Sequence, residues 1–136
     1  MLNAHGVDYL LVGGYAVAFH GFARATVDME VWVAVEPGNA ERLVAALGEF
    51  GFDLPELSVD LFLQPERLVR MGVAPLRIEL LTSIDGVTFR ECRERSVSVR
   101  IGDLDVPVIA LADLRANKLA AGRTKDQLDL ENLPEA

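Results

Sequence analysis

A pair of glycines between two strand-like segments is the feature that most restricts how this chain can fold. An apolar run, Tyr9–Val12, stops at Gly13-Gly14, and a short apolar segment with helix-forming residues follows. Two glycines at a strand-to-helix turn permit positive φ angles and leave backbone amides open to an anionic ligand. The pattern predicts a strand, a tight turn and a short helix over Tyr15–His20. A tight turn alone explains the glycines equally well.

The second predicted strand carries two carboxylates inside an apolar pattern. In the segment Val27–Val35, Asp28 and Glu30 alternate with apolar residues. Side chains two positions apart on a strand lie on the same face, so the two acids are neighbours. Like charges at such positions repel, and a bound cation is the usual way to tolerate them. A third acid, Glu79, is embedded in the strand predicted over Pro75–Thr82 and also needs a partner or a metal.

The remaining pattern alternates between helices and strands. Amphipathic spacing predicts helices, and β-branched runs around a turn predict a hairpin. The predicted elements are a helix Ala40–Phe50 capped by Asn39, a short strand Val59–Leu63, a helical turn Pro65–Met71, hairpin strands Ser96–Ile101 and Asp105–Ile109, a helix Leu111–Ala121, and a last helix starting at Thr124 with Leu128 and Leu133 buried. We therefore predict a single α+β (two-layer α/β) domain over residues 1–136, with a mixed sheet and helices packed mainly on one face.

Composition excludes several functional classes. The apolar fraction of 51% argues against disorder, and there is neither an apolar run of about 18 residues nor a basic leader, so we expect a cytoplasmic protein without a membrane partner. A single cysteine, Cys92, excludes an internal disulfide and a cysteine-built zinc site. The net charge of −8 disfavours general nucleic-acid binding. Seven arginines between Arg67 and Arg100 indicate either a solvated surface mixed with acids or a local acceptor-binding patch.

Lys118 interrupts the apolar stripe of the helix Leu111–Ala121. It lies in line with Leu111 and Leu114 at helical spacing. Two interpretations are open. The aliphatic stem could pack while the ammonium reaches water, or the cation could point into a site.

Several segments together resemble a known family. Gly13-Gly14, an interval of thirteen residues and then Asp28-Met29-Glu30-Val31 resemble the signature of the DNA polymerase β-like nucleotidyltransferase superfamily, with Glu79 at the position of its third acid. More narrowly, GGYAVAFHGFARATVDME, RIELLTSIDGVTF and DLRANKLAAGRTKDQLDL resemble small bacterial nucleotidyltransferase-like proteins, some of which are grouped with AbiEii-type toxins.

The resemblance implies a nucleotidyltransferase fold and a Mg²⁺-dependent (or Mn²⁺-dependent) reaction. A nucleoside monophosphate would pass from a nucleoside triphosphate, such as ATP, to a hydroxyl of an unidentified acceptor (a protein, a tRNA end or a small molecule), releasing pyrophosphate. The resemblance assigns metal binding and catalysis to Asp28, Glu30 and Glu79, with Glu79 as the base. It assigns nucleotide binding to Gly13, Gly14, Arg24, Thr26 and Lys118. Lys125 and Asp126 match family positions too, although a helix start explains them equally well.

The chain departs from this family at two of its three acids. Aspartate is commoner at the positions of Glu30 and Glu79, and each glutamate adds a methylene that changes metal distances. An alternative is therefore a catalytically degenerate binding module that acts as a toxin–antitoxin or regulatory partner, with a homo-oligomer as another option. A third interpretation is a structural domain whose acids are neutralised by Arg24 and Lys118. The active enzyme requires that the three acids converge, and a salt bridge in place of the ions would count against it.

Overall fold

The chain folds around a six-stranded mixed sheet. The computed structural model describes residues 2–23, 28–52, 54–72 and 77–135. Its strands are β1 (Tyr9–Val12), β2 (Asp28–Val33), β3 (Leu68–Met71), β4 (Arg77–Leu81), β5 (Val97–Ile101) and β6 (Leu104–Val108), in the spatial order β3-β4-β2-β1-β6-β5. Its helices are α1 (Gly13–Phe19), α2 (Pro37–Glu49), α3 (Phe89–Glu94), α4 (Leu111–Ala121) and α5 (Thr124–Asn132), with a 3₁₀ turn at Leu61–Leu63. None of the helices in these ranges is long and apolar enough to cross a membrane.

The strand register places the acidic positions side by side. Strand β2 is antiparallel to β1 and parallel to β4, with Glu30 opposite Glu79. Strand β3 is antiparallel to β4, with Arg70 opposite Glu79. Directly opposed residues on neighbouring strands project from the same face. Arg70, Glu79 and Glu30 therefore form one row across three strands, and Asp28 with Arg77 forms the next row.

Hydrophobic side chains cover both faces of the sheet unequally. On one face, Val31 and Val33 pack with α2 and the 3₁₀ turn. On the other face, Trp32 packs with buried residues from α1, α3 and α4 and with Leu133 after α5. The predicted α+β fold with helices mainly on one face is confirmed. The acids of β2 share the face of Trp32, as the period-two alternation predicts.

Two predicted elements between α2 and β4 are wrong. Val59–Leu63 is not a strand, because Leu61–Leu63 form a 3₁₀ turn whose Phe62 is buried in the core. Pro65–Met71 is not a helical turn, because Leu68–Met71 form β3 at the edge of the sheet. In both segments, pairing and packing with distant residues decide the conformation, and the local sequence does not contain that information. The short helix α3 was not predicted at all.

Two smaller predictions also fail. Asn39 does not cap α2, which begins at Pro37. Its buried side chain accepts a hydrogen bond from the backbone N–H of Asp8 and donates to the carbonyls of Asp8 and Ala34. It therefore ties α2 to the start of β1 and the end of β2. Leu128 is exposed rather than buried, because α5 turns Asp126 and Asp129 inward instead.

Cys92 provides a test of the packing between α3 and α4. Its side chain is fully buried, and burial, followed by the charge of Asp113, raises the pKa of the thiol to about 11. Because the thiolate is the reactive form, we expect the native protein at pH 8 to react with Ellman's reagent at least about 100-fold more slowly than protein unfolded in guanidinium. The native rate should rise with pH up to about pH 11. Equal native and unfolded rates would contradict this packing.

Candidate active site

The three predicted acids line one cavity of about 600 Å³. We call it the central cavity. It lies where β1, β2 and β4 face α4 and the residues that follow α4. Its lining includes the glycine pair and both signs of charge. The charged and glycine residues that matter below are Gly13, Gly14, Asp28, Glu30, Arg70, Arg77, Glu79, Lys118, Arg123 and Lys125.

The carboxyl groups of Asp28 and Glu79 are hydrogen-bonded to each other. Burial, together with this bond and the neighbouring negative charges, raises the pKa of Glu79. The hydrogen bond from Glu79, followed by the contact with Arg77, lowers the pKa of Asp28. These two acids therefore converge in the cavity, and their interaction moves their pKa values in opposite directions.

Two arginines hold these same acids. The guanidinium of Arg77 donates to Oδ1 of Asp28 at 2.8 Å. Arg70 donates from Nε at 3.2 Å and from Nη2 at 3.0 Å to Oε1 of Glu79. Salt bridges therefore occur at two of the three acids, which is the arrangement that counts against a preformed metal site. Sequence reasoning did not assign either arginine. The alternation in Leu68–Met71 is too short to identify β3, and the position of Arg77 opposite Asp28 depends on the register of β2 and β4.

Glu30 lies directly against the glycine turn. Gly13 has φ of +67°, and a side-chain Cβ placed there would overlap the Glu30 carboxylate and come 3.0 Å from the Glu30 Cβ. The glycine is therefore required both for the backbone conformation and for the space that Glu30 occupies. The predicted turn is confirmed, with the helix starting at Gly13 instead of Tyr15.

We expect the substitution Gly13→Ala to displace Glu30 and to destabilise the protein. A non-glycine residue at this φ costs about 1 kcal/mol before the clash is counted. The double variant Gly13→Ala/Glu30→Ala should regain part of the lost stability, because it removes the overlapping carboxylate. Urea denaturation of the two single variants and the double variant measures the coupling. Strictly additive losses would contradict the contact.

Lys118 lines the central cavity, but its charge is already balanced. Its Nζ lies 3.2 Å from Oδ1 of Asp126 and 3.2 Å from Oδ2 of Asp129, and the lysine side chain is 4% exposed. Arg123 also donates to Asp126. Burial alone would raise the pKa of Asp126, but hydrogen bonds from Arg123 and Lys118 outweigh burial and lower it. The interpretation in which the ammonium reaches water is wrong. The cation is held inside a buried cluster between α4 and α5.

Other predictions about the site have different outcomes. Arg24 and Thr26 lie outside the described residues. Of the seven arginines between Arg67 and Arg100, six contact acids, in agreement with a surface of mixed charge. Helix α5 starts at Thr124 as predicted, with Arg123 at the cap position, and the Asp126 carboxylate accepts the backbone N–H of Arg123 at 3.1 Å.

A divalent cation is implied by the family that the chain resembles, and the donor set fits one chemically. Three carboxylates from adjacent strands are the oxygen ligands that Mg²⁺ and Mn²⁺ prefer. Two carboxyl groups in contact mark a position where a bound cation would relieve their mutual repulsion. Among the described residues, no three acidic, histidine or cysteine side chains already stand in a metal-binding arrangement. A bound cation therefore requires that Arg70 and Arg77 release the carboxylate oxygens of Glu79 and Asp28.

Comparisons with known proteins support the fold. The chain is similar to a solved protein from Thermotoga maritima described as a putative nucleotidyltransferase, with 15% identity, a TM-score of 0.56, and coverage of 92% of this chain and 80% of the other. It is also similar to an antigenic nucleotidyltransferase-like protein from Paracoccidioides brasiliensis, with 13% identity, a TM-score of 0.56, and coverage of 96% and 67%. No family model matches the sequence, and no curated protein matches it significantly. The chain therefore has a nucleotidyltransferase-like fold.

Proposed function

We propose that this protein is a nucleotidyltransferase that uses Mg²⁺ or Mn²⁺. It would transfer a nucleoside monophosphate from a nucleoside triphosphate to an acceptor hydroxyl and release pyrophosphate. The observation that carries the proposal is the meeting of Asp28, Glu30 and Glu79 in one cavity, beside Gly13, within a nucleotidyltransferase-like fold. Structural similarity at this identity supports the fold, and the chemistry is inferred from the side chains.

The acids of the cavity have separate roles in this proposal. Asp28, Glu30 and Glu79 would hold the cation, which supplies positive charge against the triphosphate and acidifies the acceptor hydroxyl when it is bound. Glu79 accepts the proton of that hydroxyl as its oxygen attacks the α-phosphorus and the bond to the leaving pyrophosphate breaks. A carboxylate whose pKa is raised by burial is a stronger base than an exposed one, which suits this role.

The basic and glycine residues of the cavity would bind the nucleotide. Lys125 and Arg123 are exposed residues of the cavity lining, where they can contact phosphate oxygens, although Arg123 is also paired with Asp126. We also propose phosphate contacts for the amides of Gly13 and Gly14 and for Arg24, Thr26 and Lys118. Lys118 would act mainly by shaping the wall of the cavity, because Asp126 and Asp129 already engage its ammonium.

A second candidate function is supported by the salt bridges. Arg77 and Arg70 neutralise Asp28 and Glu79 without any metal, as expected of a degenerate site. The chain would then be a binding module for a toxin–antitoxin or regulatory partner. The third interpretation, neutralisation by Arg24 and Lys118, loses one of its two cations, because Lys118 pairs with Asp126 and Asp129.

Two labelled forms of the same nucleotide separate these functions. The protein is incubated with a cell extract, Mg²⁺ or Mn²⁺, and each of the four NTPs labelled at the α- or the γ-phosphorus. A nucleotidyltransferase moves the α-label onto an acceptor and releases the γ-label as pyrophosphate. Transfer of the γ-label would indicate a kinase instead. Metal-dependent NTP binding without transfer would favour the binding module.

The same reaction identifies the acceptor class. Protease treatment, ribonuclease treatment and ultrafiltration of the labelled products distinguish a protein, a tRNA end and a small molecule.

We propose that the acceptor docks at the open mouth of the cavity or that a second subunit completes its site. Sedimentation of the protein alone and with the labelled acceptor tests for a homo-oligomer. Fractionation of cells tests the proposed cytoplasmic location.

A further inference from the structure

Arg70 makes two hydrogen bonds to one oxygen of Glu79. Both Nε and Nη2 reach Oε1, at 3.2 and 3.0 Å. A carboxylate oxygen offers about two lone-pair positions, so Oε1 has no further position for a cation while Arg70 is present. The strand register directs this contact, since Arg70 on β3 lies opposite Glu79 on β4.

The two partners of this ion pair differ greatly in exposure. The Arg70 side chain is 52% exposed on the edge strand, whereas the Glu79 side chain is 8% exposed. The arginine can leave into solvent, where its charge is hydrated, but the carboxylate cannot follow it without leaving the cavity wall. Only one side of the pair is therefore free to move, and it is the side that blocks Oε1.

We propose that Arg70 competes with the divalent cation for Glu79 and thereby sets the metal affinity of the central cavity. This inference rests on the proposed function, because it concerns the same three acids. In the metal-free protein, the Arg70 guanidinium supplies the positive charge beside Glu79 that the cation supplies when it is bound. When the cation binds, Arg70 withdraws toward the open side of the sheet edge. Arg70 is a positioning residue in this scheme, since it acts through Glu79.

Direct titration with Mn²⁺ tests the competition without an activity assay. Isothermal titration and the electron paramagnetic resonance signal of free Mn²⁺ both report the dissociation constant. We expect Arg70→Gln to bind Mn²⁺ about tenfold more tightly than the wild type, which corresponds to the loss of one charge-assisted contact. Arg70→Lys keeps the charge but loses the two-pronged contact, so its affinity should lie between the two.

A matched control separates competition from a general change in charge. Arg67 is an exposed arginine in the same segment, and the hydrogen bonds described for its side chain are to Gln64. The substitution Arg67→Gln should therefore leave the dissociation constant for Mn²⁺ unchanged. Asp28→Asn should abolish binding in every background, which locates the ion. An equal gain in Arg67→Gln and Arg70→Gln would overturn the competition in favour of bulk electrostatics.

The remaining outcomes distinguish the two proposals. If the wild type and Arg70→Gln bind Mn²⁺ equally, the role of Arg70 is wrong and the proposed enzyme is unaffected. If neither binds Mn²⁺, or if binding survives Asp28→Asn, the role of Arg70 is overturned together with the metal site. Failure of α-label transfer with normal Mn²⁺ binding would overturn the enzyme alone. Circular dichroism of each variant verifies that it is folded.

Discussion

Replacement of Asp28 by asparagine is expected to lower the rate of α-label transfer by about a thousandfold or more, with the fold retained. Asparagine has the same shape as aspartate and can still accept the hydrogen bond from Arg77. It cannot supply the negative charge that holds a divalent cation, and metal-assisted charge neutralisation contributes several kcal/mol to such reactions. The rate with saturating Mg²⁺, measured beside the thermal midpoint of unfolding, checks both parts of the expectation.

Asp105→Asn is the matched control for this substitution. Asp105 is also an aspartate paired with an arginine, Arg100, but both side chains are more than 60% exposed on the β5–β6 hairpin. Its substitution should leave transfer unchanged, because it lies outside the central cavity. Full activity in Asp28→Asn would remove Asp28 from the catalytic machinery. It would also mean that transfer does not depend on the metal site proposed here.

The pair of acids on β2 could be predicted from the sequence because their arrangement is local. Alternation with period two in β2 is sufficient to place Asp28 and Glu30 on one face, whereas their meeting with Glu79 also requires that β4 pair with β2. The glycine turn has the same property, since a strand, two glycines and an apolar helix are contiguous. These are the parts of the fold for which local pattern and tertiary structure agree.

The counter-ions of the acids could not be predicted in this way. Arg70 reaches Glu79 only because β3 pairs with β4, and Arg77 reaches Asp28 only because β4 lies beside β2. Strand order is a long-range property that a short, partly exposed strand does not encode. The acidic residues of the site could therefore be identified from the sequence, whereas their arginine partners depend on the order of the strands in the sheet.

The Lys118 cluster is an intermediate case. When its helix is considered alone, a lysine in an apolar stripe can be interpreted either as a packed stem with its ammonium in water or as a cation that points into a site. The next helix presents Asp126 and Asp129 three positions apart, which is the spacing that puts two side chains on one helical face. Read together, the two helices indicate a buried ion cluster. The cluster can therefore be predicted from the sequence only when both helices are considered.

Replacement of Lys118 by methionine is expected to destabilise the protein by about 3–5 kcal/mol. Methionine keeps most of the apolar stem but removes the ammonium, so two buried carboxylates lose their shared cation. Arg123 continues to balance Asp126, whereas Asp129 loses its contact with the Lys118 ammonium. Urea denaturation of the wild type and the variant measures the difference in the free energy of unfolding, with the same dependence of that free energy on urea concentration used for both proteins.

Lys125→Met and pH provide the controls for this prediction. Lys125 is an exposed lysine on α5, and its substitution should change stability by no more than about 0.5 kcal/mol. The double variant Lys118→Met/Asp129→Asn should be more stable than Lys118→Met, because it removes a buried negative charge that has lost its contact with the lysine ammonium. The folded-state pKa of Asp126 is lowered, so its ion pair contributes stability above the ordinary aspartate pKa and loses it as the pH falls through the lowered value. The difference in the free energy of unfolding between the wild type and Lys118→Met should therefore become smaller in acid. A difference that is constant with pH would mean that packing of the lysine stem, and not its charge, stabilises the contact between α4 and α5.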